Sequence, residues 1–299
     1  GYDVTVARSG RDALALLGDS VEECVKRYAD VPCIIWYLNG DLVCRIGDAL
    51  TPDLRRFLKD KYKTDENFRR AWKDSAVSLS TLEAKEYPHD GNNAFGDVKA
   101  SDYNDFRMFL IRNWNSYLIR RIRAVDRCSR AILCEFYSWP CDCVDIPCAI
   151  GELTYGNIGF FASARQFPSY YLVHDQRSRG KGMGVGEFGK RTNPLFKNAK
   201  YDVHWNVPYN ESKNFFWQVC VSGLVMGGNH MQIWCWSDGS DYVFPWGLTY
   251  GLDKIPRDWY YWMRAYCLWT KTLSLTCPDA PVALLTPDRS RHASNAKGY

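Results

Sequence analysis

Short apolar runs alternate with helix-length segments along most of the 299-residue chain, and this alternation limits the possible folds more than any other feature. Five runs are too short for helices and rich in β-forming residues: CIIWYLNGD, AILCEFYSW, IGELTYGNIGFF, GMGVGEF and HMQIWCW. Helical patterns precede the first run and stand between most of the others. Strands that alternate with helices in this way predict β-α-β units and a parallel sheet.

Capping signals suggest where several helices begin. Ser20 followed by Glu23 has the pattern of a capping box, so we expect a helix to begin there. Thr64 is expected to cap a short helix further along. The stretch 84–102 is polar and contains glycine, which predicts a loop ahead of a long helix near 103–125.

Helices of this length beside buried strands favour a (β/α)8 barrel, the TIM-barrel architecture. We count only five barrel strands, with YDVTV at 2–6 as a weak sixth, so we expect the first two or three β/α units to be missing. Residues 1–275 are expected to form the barrel domain. The segment APVALLTPDRSRH has the pattern of a new buried strand, so we expect residues 276–299 to be a linker and the start of a further α/β domain.

Composition argues against several classes of function. No run of about 18 apolar residues occurs, so we expect no membrane partner. The net charge of +4 is small for this length and gives little reason to expect nucleic acid. The five histidines are scattered, and Cys141, Cys143 and Cys148 lack zinc-ribbon spacing, so we interpret these cysteines as thiols or one disulfide. We predict no cofactor and no metal, and the sequence leaves oligomerisation open.

The stretch GMGVGEFGKRTNP, residues 182–194, contains three glycines at the G-x-G-x-x-G spacing of a phosphate-binding loop. Such a loop leads directly into a helix, which Pro194 opposes here. We therefore interpret GMGV as a strand whose end delivers Glu187. Catalytic groups of parallel barrels lie at the carboxyl ends of strands, and flanking glycines let a substrate approach. The alternative is a loop carboxylate paired with Lys190 or Arg191.

Polar and aromatic residues follow two other predicted strands. Asp41 comes directly after IIWYLNG, with Asn39 close by, and Trp236 ends IWCW. Two carboxylates at the mouths of different strands can divide nucleophilic and acid–base work on a glycosidic bond. Trp236 offers a flat apolar face that suits a sugar ring. The alternative for Trp234 and Trp236 is simple core packing.

Taken in order, these motifs resemble those of the clan A retaining glycoside hydrolases, which are (β/α)8 enzymes, and most of all the β-galactosidases of family 42 and their relatives. The resembling stretches are VKRYADVPCIIWYLNGD, LTPDLRRFLKDKYKTDENFRRAW, GVGEFG and GLVMGGNHMQIWCWSDG. They fall within roughly residues 15–270. The resemblance implies that Glu187 is the nucleophile and that position 41 is the acid/base.

At position 41 the chain departs from that family, which has Asn-Glu where this sequence has Gly40-Asp41. An aspartate carboxyl reaches about 1.5 Å less far than a glutamate carboxyl, the length of one C–C bond. Three alternatives follow. Asp41 acts with a shifted backbone, which we favour; Glu135 or Glu152 supplies the acid; or the site is impaired.

The resemblance also implies further contacts to the substrate. Tyr155 would donate a hydrogen bond to the nucleophile, and His204 and Trp205 would line the sugar site, although His204 fits an ordinary loop residue equally well. The implied function is hydrolysis of a β-glycosidic bond, of the β-galactosidase type, in an oligosaccharide or β-glycoside by double displacement. The alternative is a carbohydrate-binding barrel without catalysis.

Overall fold

The computed structural model describes two compact units, one made chiefly of residues 1–133 and the other chiefly of residues 154–284. The described residues are 10–32, 34–38, 46–85, 97–128, 130–136, 155–160, 182–188, 209–225, 227–228, 230–233, 235–237, 247–249 and 254–273. For residues 10–12, 134–136, 155–160, 182–188 and 209–212 the description covers the backbone. None of the helices within these ranges is both long and apolar enough to span a bilayer.

Within the described residues, the first unit combines four α-helices and a short 3-10 helix with a pair of parallel strands. In chain order its elements are α1 (Gly10–Arg27), β1 (Trp36–Tyr37), a short 3-10 helix (Asp48–Leu50), α2 (Thr51–Tyr62), α3 (Asp65–Trp72), α4 (Val98–Val125) and the start of β2 (Ile132–Phe136). Trp36 pairs with Ile132, and Tyr37 pairs with Leu133. This parallel pairing is the arrangement that the β-α-β pattern predicts.

The core of the first unit lies between α2, α3 and α4. Its fully buried apolar side chains include Leu54, Leu58, Phe68 and Phe106. The carboxylate of Asp102 on α4 is also buried. Three groups on α2 and α3 compensate for its loss of water by donating hydrogen bonds to it. The donors are Lys61 Nζ at 2.7 Å, the Tyr62 hydroxyl at 2.7 Å and Trp72 Nε1 at 2.6 Å.

A second buried carboxylate, Asp126, stands just after α4 and fixes the start of both strands. It accepts hydrogen bonds from Trp36 Nε1 at 3.2 Å, the Cys128 backbone N–H at 3.2 Å, and Arg130 through its backbone N–H at 2.9 Å and Nη1 at 2.6 Å. Another Arg130 nitrogen donates to the carbonyls of Ala29 and Val31 beyond α1. The network therefore joins the end of α1, the first residue of β1 and the segment that leads into β2.

Two of the predicted helix boundaries are wrong. α1 begins at Gly10, so Ser20 and Glu23 lie inside the helix and do not form its capping box. α4 begins at Val98 within the expected loop, because the Asp97 carboxylate accepts hydrogen bonds from the first free N–H groups of the helix. The predicted cap at Thr64 is confirmed, since its hydroxyl accepts from the Asn67 N–H at 3.2 Å.

Besides the last three residues of β2, the described part of the second unit contains three parallel strands and two aromatic helices. They are β3 (Tyr155–Phe160), β4 (Gly182–Phe188), α5 (Tyr209–Val225), β5 (His230–Ile233) and α6 (Asp258–Lys271). β4 pairs with β3 on one side and β5 on the other. The Phe216 ring on α5 meets Trp259 on α6 edge-on, with 5.3 Å between ring centroids, and both side chains are buried. The predicted strands at these positions are confirmed.

Candidate active site

Glu187 is the second-to-last residue of β4, the central strand of the second unit. Val185 and Phe188 of β4 pair with Ile158 and Phe160 of β3, so β4 has one residue more than β3 over this interval. The pairing with β5 shifts over the same interval of β4. β4 therefore bulges at Glu187 and the glycine before it, relative to both of its neighbours.

The glycines before Glu187 belong to a bulged strand. A β-bulge bends a strand, interrupts its regular alternation and is over-represented next to active sites. Gly184 and Gly186 lie inside β4, as a strand interpretation requires and a phosphate-binding loop does not. The predicted strand GMGVGEF is confirmed, since β4 runs from Gly182 through Glu187 to Phe188.

Trp236 lies at the edge of the sheet where β4 and β5 end. Phe188, the last residue of β4, pairs with Ile233, the last residue of β5, and Trp236 follows three residues later. Its side chain is 62 % exposed, which is high for a tryptophan. The ring meets Tyr260 of α6 edge-on, with 6.0 Å between ring centroids. An indole face is thus open to solvent beyond the end of β5.

The backbone beneath Trp236 is held by a buried hydrogen-bond chain. Thr249 donates to the Trp236 carbonyl twice, from its backbone N–H at 3.1 Å and from Oγ1 at 3.2 Å. Arg257 is buried and donates to the two residues that precede Thr249. Its backbone N–H donates to the Leu248 carbonyl and its Nη1 to the Gly247 carbonyl, both at 2.9 Å. These bonds hold the backbone that carries the exposed indole.

The strand pairing places Tyr155 far from Glu187. Tyr155 is the first residue of β3 and pairs with Gly182, the first residue of β4. Glu187 lies five residues further along β4, which corresponds to about 16 Å at about 3.3 Å per residue. The register thus opposes a direct hydrogen bond between Tyr155 and Glu187, and we do not retain it in the proposed site.

Several predicted site residues lie outside the described residues: Asn39, Asp41, His204 and Trp205, together with Trp234, Glu152 and the cysteines 141, 143 and 148. The further domain expected at 276–299 lies outside them as well. The alternative acid Glu135 is described at the backbone level. It is the second-to-last residue of β2, the same place in its strand that Glu187 has in β4.

The described residues also bear on metal binding. Among them, no group of three or more His, Cys, Asp or Glu side chains could hold a metal ion. His230 begins β5, at the end of the strand away from Trp236. Burial lowers its pKa below the ordinary value, so the imidazole is neutral at neutral pH. Burial likewise raises the pKa of the Cys220 thiol on α5, which keeps it protonated.

No protein-family model matches this chain, and no curated protein matches its sequence. Solved structures do match it. A β-galactosidase from the psychrophilic Marinomonas ef1 superimposes with a TM-score of 0.62 at 13 % identity over 87 % of this chain. A β-galactosidase from Rahnella sp. R3 gives 0.60 at 17 % identity over 91 %. The catalytic domain of a β-amylase from Paenibacillus polymyxa gives 0.59 at 13 % identity over 90 %.

The chain has part of the (β/α)8-barrel fold of these glycoside hydrolases. The predicted fold is confirmed, and the resemblance found in the sequence is confirmed at the level of fold. The chain covers 42 % and 40 % of the lengths of the two β-galactosidases, and 72 % of the β-amylase catalytic domain. It therefore spans less than half of either β-galactosidase.

Proposed function

We propose that this chain is the barrel portion of a retaining glycoside hydrolase that cleaves β-galactosides. The observation that carries the proposal is the bulge at Glu187 near the carboxyl end of β4, together with the exposed indole of Trp236 beyond the end of the neighbouring strand β5. Glycoside hydrolysis requires two carboxyl groups, and Glu187 at the edge of a parallel sheet is our candidate for one of them. The exposed indole offers a flat apolar face for the sugar ring. The fold shared with two β-galactosidases supports the substrate class.

The proposed reaction proceeds in two displacements. Glu187 attacks the anomeric carbon, and the bond to the leaving oxygen breaks as a carboxylic acid donates its proton to that oxygen. The product of this step is a covalent glycosyl-enzyme. Water then attacks the same carbon, its proton passes to the carboxylate that served as the acid, and Glu187 is released. Trp236 holds the sugar ring through its apolar face during both steps.

Asp41 is our first candidate for the acid, and Glu135 is the second. Asp41 follows β1 in the sequence at the position that the resemblance assigns to the acid/base. Glu135 occupies the second-to-last place of β2 and carries the longer side chain that retaining enzymes of this type have. Substitutions distinguish the two candidates. Replacing the true acid/base slows cleavage most for substrates whose leaving group must be protonated, and replacing the other residue does not.

Hydrolysis of aryl β-glycosides by the full chain tests this proposal. We expect release of galactose from an aryl β-galactoside, with the first-formed sugar retaining the β configuration by NMR. Glu187→Gln should lower kcat by at least about a thousandfold. The matched control is Glu83→Gln, an exposed glutamate elsewhere in the chain, and it should leave kcat unchanged. An inverted product, or full activity in Glu187→Gln, would refute the retaining mechanism with Glu187 as nucleophile.

Leaving groups of different acidity identify the acid/base. Replacing it slows cleavage of a poor leaving group far more than that of dinitrophenolate, which departs without protonation. We expect this pattern for Asp41→Asn and not for Glu135→Gln. The reverse result would assign the role to Glu135.

A second candidate function is a carbohydrate-binding barrel that has lost catalysis. The observation that favours it is Gly40-Asp41, where the resembling family has Asn-Glu. This alternative predicts that the chain binds galactosides through Trp236 without hydrolysing them. Binding of an aryl β-galactoside by the wild-type chain, with no turnover over days, would favour it over the hydrolase.

A further inference from the structure

A lysine stands beside the exposed indole at the edge of the second unit. Lys254 Nζ lies 3.3 Å from the hydroxyl oxygen of Ser237, the residue that directly follows Trp236. Both Lys254 and the Trp236 ring are exposed, and the backbone between Trp236 and Ser237 is fixed by Thr249. The ammonium of Lys254 therefore contacts the hydroxyl of the residue next to Trp236, the proposed sugar-binding side chain.

The backbone of Lys254 adopts a conformation that side-chain-bearing residues seldom adopt. Its φ of 53° lies in the left-handed region. Lys63 and Lys73 also have positive φ, but each directly follows a helix, and the left-handed conformation of Lys73 is ordinary at that position. Lys254 follows no described helix and leads into Ile255. Backbone strain of this kind clusters at ligand-binding and active sites.

The ammonium of Lys254 also has a different kind of partner from those of two other lysines. Lys61 is paired with Asp102 and Asp105, and Lys99 is paired with Asp74. Among the residues that the structure describes, no carboxylate forms an ion pair with Lys254, whose hydrogen bond goes to the Ser237 hydroxyl. An ammonium group has three donors, so it can bind an anion while it keeps this bond.

We propose that Lys254 and Ser237 form a subsite for an anionic group, a sulfate ester or a carboxylate, carried by the sugar substrate that stacks on Trp236. The inference rests on the proposed function and narrows its substrate class from neutral galactosides to charged ones. The Lys254 ammonium and the Ser237 hydroxyl both donate hydrogen bonds to the anionic oxygens. Since this subsite lies at the rim of the sheet, it selects the substrate and takes no part in bond cleavage.

Equilibrium binding of three monosaccharides tests the subsite without any need for turnover. The probes are galactose, galactose 6-sulfate and galacturonic acid, titrated into the full chain and followed by ligand-observed NMR. We expect an anionic probe to bind up to about fivefold more tightly than galactose, the upper end for an exposed ion pair. This preference should fall as NaCl is raised from 50 to 500 mM. Comparing the two anionic sugars shows whether sulfate or carboxylate is preferred.

Variants separate the charge of Lys254 from its backbone. Lys254→Met should abolish the preference, and Lys254→Arg should keep it. Lys254→Gly, which accepts the positive φ without strain, should also abolish it. The matched control is Lys271→Met at the far end of α6, which removes the same charge and should keep the preference.

The outcomes distinguish this subsite from the proposed reaction. A wild-type chain that binds all three sugars equally, or binds none, overturns the subsite, as does a preference that survives in Lys254→Met. If aryl β-galactosides are hydrolysed in either case, the proposed reaction stands. A Lys254-dependent preference in a chain that hydrolyses no β-galactoside supports the subsite and overturns the reaction.

Discussion

Asp126→Asn removes the charge from the most heavily hydrogen-bonded carboxylate described in the first unit. Asp126 accepts four of the described hydrogen bonds, from Trp36 Nε1, the Cys128 N–H, and the backbone N–H and guanidinium of Arg130. An asparagine has one acceptor oxygen and presents its own N–H groups to the remaining donors. Arg130, whose side chain is only 9 % exposed, loses its buried counter-charge but keeps the carbonyls of Ala29 and Val31.

The expected loss follows from these contacts. A buried donor left without a partner costs about 1–3 kcal/mol, and breaking a buried ion pair costs about 3–5 kcal/mol. These two costs overlap, because they describe the same lost contacts. The carbonyls of Ala29 and Val31 still accept hydrogen bonds from the Arg130 guanidinium. We therefore expect Asp126→Asn to lower the free energy of unfolding at pH 7 by about 3 kcal/mol, measured by urea denaturation. Glu23→Gln, at an exposed ion pair with Arg27, is the control and should change it by less than about 0.5 kcal/mol.

The same carboxylate makes the effect depend on pH. Burial tends to raise the pKa of Asp126, but the backbone N–H groups of Arg130 and Cys128 and the Trp36 and Arg130 side chains outweigh it, so the pKa lies below 3.8. The folded-state pKa is depressed, so this stabilisation is present above the unfolded pKa near 4 and is lost as pH falls through the lower folded value. The difference between wild type and Asp126→Asn should therefore shrink at low pH. An unchanged difference there, or one under about 0.5 kcal/mol at pH 7, would refute the reasoning.

Three further substitutions have expected outcomes. Trp236→Ala should leave the free energy of unfolding within about 0.5 kcal/mol, because the ring is exposed, and raise KM for an aryl β-galactoside roughly two- to tenfold; an unchanged KM would remove Trp236 from the site. Asp97→Ala should cost about 1 kcal/mol of unfolding free energy in urea, and no loss would mean that the cap of α4 is dispensable. Phe216→Ala should cost about 3–5 kcal/mol, whereas a cost below about 1 kcal/mol would contradict its place in the core.

The start of α1 could not be predicted from local signals. Gly18 stands two residues before the expected cap at Ser20, and both residues lie inside the helix. A Cβ at Gly18 would clash with the Tyr117 hydroxyl oxygen on α4, so the glycine leaves room for this side chain between the two helices. Long-range packing thus outweighed the local cap, and only the partner helix reveals the reason.

Polar residues misled the prediction for the start of α4 in a related way. The stretch before residue 103 was expected to be a loop because it is polar, but Asp102 is buried within α4. Its partners Lys61, Tyr62 and Trp72 are distant in sequence. A polar residue satisfied by distant donors cannot be distinguished from a solvated one by composition alone.

The candidate site could be predicted in part. The glycines around Glu187 indicated a strand end that a substrate can approach, and β4 bulges at that place. The register that separates Tyr155 from Glu187 was beyond prediction, because it depends on how β3 and β4 pair. Lys254 was missed because its contact with Ser237 spans a loop, and neither its positive φ nor that contact leaves a pattern in the sequence.

The most direct test of the account is to trap the covalent intermediate. A 2-deoxy-2-fluoro-galactosyl fluoride reacts with the nucleophile of a retaining enzyme, and the resulting glycosyl-enzyme breaks down slowly enough for peptide mapping by mass spectrometry. We predict one label, on the peptide that contains Glu187, and protection from labelling by excess galactose. A label on another carboxylate, or no label on a chain that hydrolyses β-galactosides, would contradict the assignment of Glu187 as the nucleophile.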